Sequence, residues 1–418
     1  MTVAFVVVYA LVTTVLFAVA ATTLSWMIDS WRTPQALGQM PFPRPDEPRL
    51  SFSLIVPARH EEAVLADTVQ RLLQQRHPAL EVLVVVGDDD PGTAAVAHRL
   101  AEQDPRVKVV VDDSPAKNKP KALNRALQYC TGKVVGVFDA EDEVALELLE
   151  HVDACFRATH AHVVQGGVQL MNYRSSWWAL RNTLEYFFWF SSRLHFHARS
   201  GFIPLGGNTV FVRTDLLRLV GGWDTECLAE DCELGIRLSV AGARVAVAYS
   251  PALATREETP TSLRGLIKQR TRWNQGYLQV LRKGEWRRLP TAGKRWMARY
   301  LLASPFLQAV AGVLVPVSLL SMVLFKAPAT FVLFTFLPLV PTVLSVAMEI
   351  VGLAEFNRMF ALGARYRDYL KLIAGALPYQ LLLSVAAIRA SVRELRGQRG
   401  WEKTEHVGAH RELEVAVS

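Results

Sequence analysis

The chain has 418 residues, 51% of them hydrophobic, and a formal net charge of +7. That is longer than one ordinary domain and apolar enough to bury a core. Much of the basic excess flanks apolar runs, which suits anionic lipid headgroups, and no base-stacking motif or nucleic-acid module accompanies it, so nucleic acid is excluded as a partner. The four cysteines, Cys130, Cys155, Cys227 and Cys232, make no CxxC pair and no zinc spacing, and read as reduced cytosolic residues.

The chain opens on "VAFVVVYALVTTVLFAVAATTLSWMI" (3–28), uncharged and long enough to span a bilayer. "FAVAAT" looks like a signal-peptide cleavage site, but no Lys or Arg precedes the run and it exceeds a usual signal core, so an uncleaved anchor over 1–30 is expected. The Pro-rich stretch 31–48 reads as a linker. Val-rich runs then alternate with helical spacing: "LSFSLIVPA", "LEVLVVVG", "RVKVVVDD" and "KVVGVFDA" as strands, "EEAVLADTVQRLLQQ", "TAAVAHRLAEQ" and "PKALNRALQYC" as helices. Continuous apolar strands between helices imply a parallel sheet covered on both faces, in a doubly wound α/β domain over 49–282. Such sheets bind ligands beyond the carboxyl ends of their strands.

Beyond that domain, 283–299 is a basic membrane-interface segment, and two further spans are expected within 300–353, from the runs 300–325 and 328–348. Lys and Arg counts beside the spans put the amino terminus outside and the large domain in the cytoplasm, in a multi-pass protein of the plasma membrane. The run 369–390 is interrupted by Lys371 and Pro378 and has basic residues on both sides. An interfacial or re-entrant segment over 354–390, or else a further span, is therefore expected, followed by a cytoplasmic tail over 391–418. The aromatic run 175–197 reads as a core or interface helix rather than an acceptor stripe, and its His195 and His197 have no carboxylate partner at ligand spacing.

Three of the four strands run into acidic clusters. Like charges converging on one crevice repel unless something cationic is shared, so a site is expected there. "VFDAEDE" places Asp139 and Glu141 one residue apart, within reach of one divalent ion bridging phosphates, with Lys119 and Lys121 of "KNKPKALN" nearby in sequence. "LAEDCELG" sets Glu230 and Asp231 at a helix start, where acids also serve as plain caps. "KQRTRWNQG" puts Gln269, Arg272 and Trp273 on one helical face, an arrangement that also suits an interfacial anchor.

In this order the motifs resemble the membrane-embedded family-2 glycosyltransferases, specifically the processive group of cellulose, hyaluronan and β-glucan synthases. The resemblance covers roughly residues 50–280 and includes "IPLGGNTVFVR" and "GGWD". It implies an α/β domain of the GT-A type, with a mixed sheet, that uses Mg²⁺ or Mn²⁺ and inverts the anomeric centre of a UDP-sugar. On that analogy Asp231, with Glu230 beside it, is the catalytic base, and Asp139 and Glu141 hold the metal. Pro57, Ala58, Glu61, Asp88, Asp89, Asp90, Lys119, Lys121 and Asp139 would bind the nucleotide-sugar, with the choice among Asp88–Asp90 open. Gln269, Arg272 and Trp273 would line the diphosphate and acceptor end. "GWEKTEH" resembles a gating loop, which adds Trp401 and Thr404. Here the metal pair is Asp-x-Glu rather than the common Asp-x-Asp, the base motif lacks the frequent Thr, and His406 stands where Lys or Arg is frequent. The expected function is transfer of a sugar to a growing polysaccharide. The alternatives are a single transfer to a polyprenyl or other lipid-linked acceptor, and a silent scaffold subunit.

Overall fold

The computed structural model describes residues 3–32, 47–324 and 336–402. After α1 (Val3–Arg32) come β1 (Phe52–Ala58), α2 (Leu65–Leu73), β2 (Leu80–Gly87), α3 (Pro91–Gln103), β3 (Val107–Asp112), α4 (Lys119–Leu127), β4 (Val134–Val137) and α5 (Leu148–Thr159). The four strands read from the sequence pair in parallel, in the order β3-β2-β1-β4. Successive strand side chains point to opposite faces, so both faces need cover. Phe52, Leu54, Val82 and Val84 pack under α2, α3 and α5, while Ile55, Leu83 and Val85 pack under α4 on the other side.

Three short strands widen the sheet: β5 (Val163–Gly166), β7 (Val210–Arg213) and β8 (Val245–Ala248). β7 runs antiparallel to both β4 and β5, so the seven-stranded sheet is mixed. A second, two-stranded sheet pairs β6 (Val168–Leu170) with β9 (Thr255–Glu257). Between β6 and β7 lie α6 (Trp177–Phe188), a π-helical turn (Trp189–Arg193) and α7 (Leu194–Ser200). α8 (Thr214–Leu219) and α9 (Glu230–Val240) follow β7, and α10 (Leu263–Lys283) follows β9. α10 crosses the start of α9 at Gly276, where an added Cβ would lie 2.4 Å from the backbone nitrogen of Ala229. Gly276→Ala is expected to destabilise the protein by roughly 1–3 kcal/mol, the usual cost of overpacking, measurable as a lower unfolding midpoint in detergent.

The remaining helices are α11 (Ala292–Leu324), α12 (Leu339–Met359), α13 (Tyr366–Ala374) and α14 (Ala376–Leu395). Among the described residues two helices are long and apolar enough to cross a membrane, Tyr9–Asp29 within α1 and Leu339–Met359. The 300–325 run is helical as far as Leu324. Of the 328–348 run, residues 328–335 lie outside the described residues. The helix drawn from its remainder starts at Leu339 and extends to Met359, past the expected limit at 353. It carries Glu349 without an isolated charge, because Arg181 of α6 holds both carboxylate oxygens at 2.6 and 2.8 Å. The 369–390 run is two helices bent by 49° at Gly375. Pro378 falls in the first turn of α14, where its missing N–H costs nothing, and Trp177 of α6 packs into the bend.

α14 lies along α10. Its Tyr379 and Leu383 pack with Leu266, and Glu394 accepts from Gln275 at 3.2 Å and pairs with Arg282 at 2.8 Å. The opposite face exposes Leu377, Leu381, Val385, Ile388, Val392 and Leu395 at helical spacing. The far end of α1 is fixed to the globular part by an ion pair of Asp29 with Arg199 and by the Arg193 guanidinium, 3.9 Å over the Trp26 ring.

Candidate active site

A cavity of about 1250 Å³ opens at the carboxyl ends of the parallel strands. Pro57, Ala58, Glu61, Lys119, Asp139, Glu141, Glu230, Asp231, Gln269, Arg272, Trp273 and Trp401 all line it. Six separate segments of the chain contribute.

The loop after β4 is fixed from below. The backbone N–H of Asp139 donates to Asp142 at 2.8 Å, and Thr68 donates to the carbonyls of Ala140 and Asp142 at 2.7 and 3.0 Å. Asp142 is fully buried, and Asn208 donates both to it, at 2.8 Å, and to Glu257. Burial, with Glu257 and Asp139 close by, pushes the Asp142 carboxyl well above its usual range, and its hydrogen bonds brace the loop that carries Asp139 and Glu141. Asp139 and Glu141 are left facing the cavity.

Lys119 is the first residue of α4, whose cap is Asn118, accepting from Lys121 N at 3.0 Å. Its ammonium donates to Asp139 and, at 3.0 Å, to the carbonyl of Gly207. Burial opposes its charge, but Asp139, Glu230 and Asp231 outweigh burial and hold its pKa above the ordinary value. Gly207 in turn lies against Asp231: a Cβ there would sit 3.0 Å from Asp231 Oδ2. Asp139 and Asp231 are thereby joined through one lysine and one glycine, although 92 positions separate them in the chain.

Glu230 and Asp231 open α9 with Ala229 as the cap residue, and Asp231 accepts from the N–H of Cys232 at 2.7 Å. Capping and exposure to the cavity therefore coexist. Burial, then the Asp231 charge, pushes Glu230 up to about 7, and burial raises Asp231 as well. The two titrate as a pair. A base drawn from this pair works only when ionised, and a raised pKa delays ionisation, so the acidic limb of turnover is expected above the ordinary carboxylate range. A kcat/KM profile across the neutral range checks this. An acidic limb near the ordinary carboxylate value would contradict it.

On α10 the three expected residues share the cavity face. Arg272 stacks on Trp401 at 4.4 Å, and among the described residues neither its Nε nor Gln269 Oε1 has a hydrogen-bond partner. Trp273 lies 6.3 Å from Tyr186 of α6. Trp401 is delivered by a turn held by Gln275, which donates to the Gln398 carbonyl at 2.7 Å, and by Glu402, which pairs with Arg389 at 2.7 Å. Thr404 and His406 lie outside the described residues.

Not every expected nucleotide contact reaches the cavity. Asp90 is buried as the cap of α3, accepting from Thr93 N at 3.2 Å and His60 N at 2.6 Å. Burial raises its pKa, but these bonds outweigh burial and the net effect is a lowering. Asp89 pairs with Arg59 at 2.7 Å and Asp88 with Lys117 at 2.5 Å, and neither is among the lining residues. Lys121 folds back on the Ala116 carbonyl at 2.8 Å. In their place Asp112 and Lys117 line the crevice. Asp112 stands at the end of β3, in one of the acidic clusters, but spacing alone did not separate it from Asp113. The run 175–197 also contributes more than core: Glu185, Tyr186, Trp189 and Arg193 line the cavity. π-helical turns of this kind recur at functional sites. His195 and His197 are both buried.

The donor set suits a hard divalent cation in one way only. Among the described residues no three His, Cys, Asp or Glu side chains are grouped to hold a metal, so Asp139 and Glu141 would need a ligand's phosphate oxygens to complete the shell. The crowding supports that use. Burial, then the charges of Asp139 and Glu61, push Glu141 up to about 8, a repulsion that a cation would relieve.

A shallower hollow of about 640 Å³, lined by His160, Asp215 and Arg244 among others, contains none of the motif residues.

Residues 48–276, more than half of the chain, match the family described as Glycosyltransferase like family 2, and the chain belongs to that family. The match is to the family as a whole and does not single out its processive group. The chain is 27% identical over 379 residues to a β-monoglucosyldiacylglycerol synthase of Trichormus variabilis, across 85% of this chain and 76% of that one. It is 22% identical over 281 residues to a poly-β-1,6-N-acetyl-D-glucosamine synthase of Staphylococcus epidermidis, across 66% of each. Among solved structures, a mannosyltransferase from Pyrobaculum calidifontis in complex with GDP-Man and Mn²⁺ superposes with a TM-score of 0.56 at 19% identity, over 93% of this chain and 99% of that one. The α/β mixed-sheet fold is thus of the GT-A type.

Proposed function

We propose that this protein is a membrane-bound, metal-assisted inverting glycosyltransferase that moves one sugar from a UDP-sugar to a lipid hydroxyl at the cytoplasmic face of the plasma membrane. The observation that carries this reading is the continuity of the cavity. The carboxylates and cations at the sheet edge share it with Leu16, Val19 and Ala20 of α1, Leu307 of α11 and Leu339 and Val346 of α12. These apolar side chains suit acyl chains. The exposed apolar stripe of α14 supports an interfacial placement of 376–395. The relative from Trichormus variabilis is named for a glucosyl lipid, which agrees.

The donor's diphosphate would lie by Lys119 and Arg272, cations placed to take the charge that develops on it. Asp139 and Glu141 would hold Mg²⁺ or Mn²⁺, which supplies further charge neutralisation when bound. Asp231 then takes the proton of the acceptor hydroxyl as that oxygen bonds to C1 of the sugar. The bond from C1 to the diphosphate breaks on the opposite face, and the electron pair leaves with UDP. Glu230, raised in pKa beside it, shares the proton inventory of the pair.

The growing-polysaccharide reading is favoured by Gln269, Arg272 and Trp273 lying on one face, and by the Staphylococcus epidermidis relative. Product analysis separates the two. Purified protein in lipid vesicles with Mn²⁺ is given radiolabelled UDP-glucose or UDP-N-acetylglucosamine, with GDP-mannose as the comparison donor. Single-sugar lipids are expected; a water-soluble polymer would replace this reading with the processive one.

A further inference from the structure

Arg193 closes the π-helical turn, and its guanidinium lies 3.9 Å from the centre of the Trp26 ring and 4.9 Å from that of Trp189. Tyr300 of α11 stands 5.9 Å from Trp26, so the cation sits in an aromatic cluster built by α1, the turn and α11. Trp and Tyr gather at the depth of lipid headgroups, and Trp26 lies near the end of the apolar helix Tyr9–Asp29. The same arginine lines the large cavity, beside Tyr277, Tyr300 and Ser304.

Its charge is unmatched. Arg181 and Arg270, on the same cavity wall, are paired with Glu349 and Glu185. Among the described residues Arg193 has no carboxylate partner, and its Nε is buried without a hydrogen bond. Glu185, the acid that feels its charge, is already engaged by Arg270 and by Tyr379, which donates to it at 2.8 Å. Burial pulls Arg193 down to about 10, with Tyr277, Tyr300 and Glu185 opposing too weakly to restore it. His197, one turn on, is fully buried; burial, then the Arg193 charge, lowers its pKa well below the usual value, so it stays neutral. Stacking accounts for a brace between α1 and the globular part. It does not account for an unmatched cation on a cavity wall, which is costly until an anion meets it.

We propose that Arg193 is an anion subsite that binds the phosphate of an anionic membrane phospholipid, held as a partner of the enzyme whatever hydroxyl accepts the sugar. Two observations favour a lipid over a soluble anion. The aromatic cluster places the cation at headgroup depth, and Lys294, Arg295 and Arg299 in the first turns of α11 concentrate anionic headgroups beside it. The site also bears on catalysis, because the turn continues α6, whose Tyr186 lies 6.3 Å from Trp273 of α10.

The test reads binding without turnover, so its outcome is separate from the identity of the acceptor. The full chain in detergent is given dioleoylphosphatidylglycerol, which is expected to raise its unfolding midpoint by about 2–4 °C and to leave one copy bound in native mass spectra. Dioleoylphosphatidylcholine should need a concentration about tenfold higher for the same effects. Arg193→Met should lose both responses to phosphatidylglycerol while UDP still raises its midpoint as in wild type, which checks its folding. Arg299→Met removes an exposed cation next to Tyr300 and should keep both. Equal loss in Arg299→Met would reduce the effect to diffuse surface charge and overturn the site. Retention of the lipid by Arg193→Met, or equal stabilisation of wild type by inorganic phosphate alone, would also overturn it. Loss of the UDP response in Arg193→Met would assign the arginine to the donor instead.

Discussion

Asp231→Asn is expected to slow sugar transfer about 10²–10⁴-fold, the span associated with losing a positioned general base. Asparagine keeps the volume and can still accept from the Cys232 N–H, so α9 should start where it does now. Donor affinity, measured by calorimetry with UDP, should therefore stay within about twofold, and the loss should fall on kcat. Glu230→Gln is the informative companion. It removes the raised carboxyl beside Asp231 and should keep much of the rate. A reversal of the two outcomes would move the base to Glu230. A scaffold subunit would tolerate both changes.

Lys119→Met is expected to have the second-largest effect, about 10²–10³-fold, as for removal of one preorganised donor that meets developing charge. The structure gives this lysine two tasks. It contacts Asp139 and the Gly207 carbonyl, and its charge favours ionised Glu230 and Asp231. Removing a nearby cation raises carboxylate pKa values, so the acidic limb should move to higher pH as the rate falls. A Met variant with lower rate but an unmoved limb would leave the lysine with the diphosphate alone. Lys121→Met, whose side chain turns to Ala116, should change little.

The parallel half of the sheet was legible because its strands are continuous Val-rich runs. Leu80–Gly87 is reproduced to the residue, and "KVVGVFDA" narrows to Val134–Val137 because the chain turns at Phe138 to aim Asp139. β5 to β9 carry only three or four residues each, too short for a period to register. The order of acidic motifs located the crevice, and twelve of the expected side chains line it. What the order could not show is which member of a cluster turns inward. Asp88, Asp89 and Asp90 are adjacent, yet their partners Lys117, Arg59 and His60 come from other loops. The Asp142–Asn208–Glu257 brace is equally non-local, its members lying far apart in the chain. The bend at Gly375 depends on a tryptophan from α6, so Pro378 was the visible signal but not the hinge.

Groups from six segments meet at one cavity that also reaches α1, α11 and α12. Anomalous scattering from crystals grown with UDP and Mn²⁺ tests it most directly. The peak should lie between the carboxylates of Asp139 and Glu141, with the diphosphate against Lys119 and Arg272 and the Asp231 carboxylate facing the same space. A nucleotide bound elsewhere, for instance in the hollow by His160 and Arg244, with Asp139 still paired to Lys119, would contradict it.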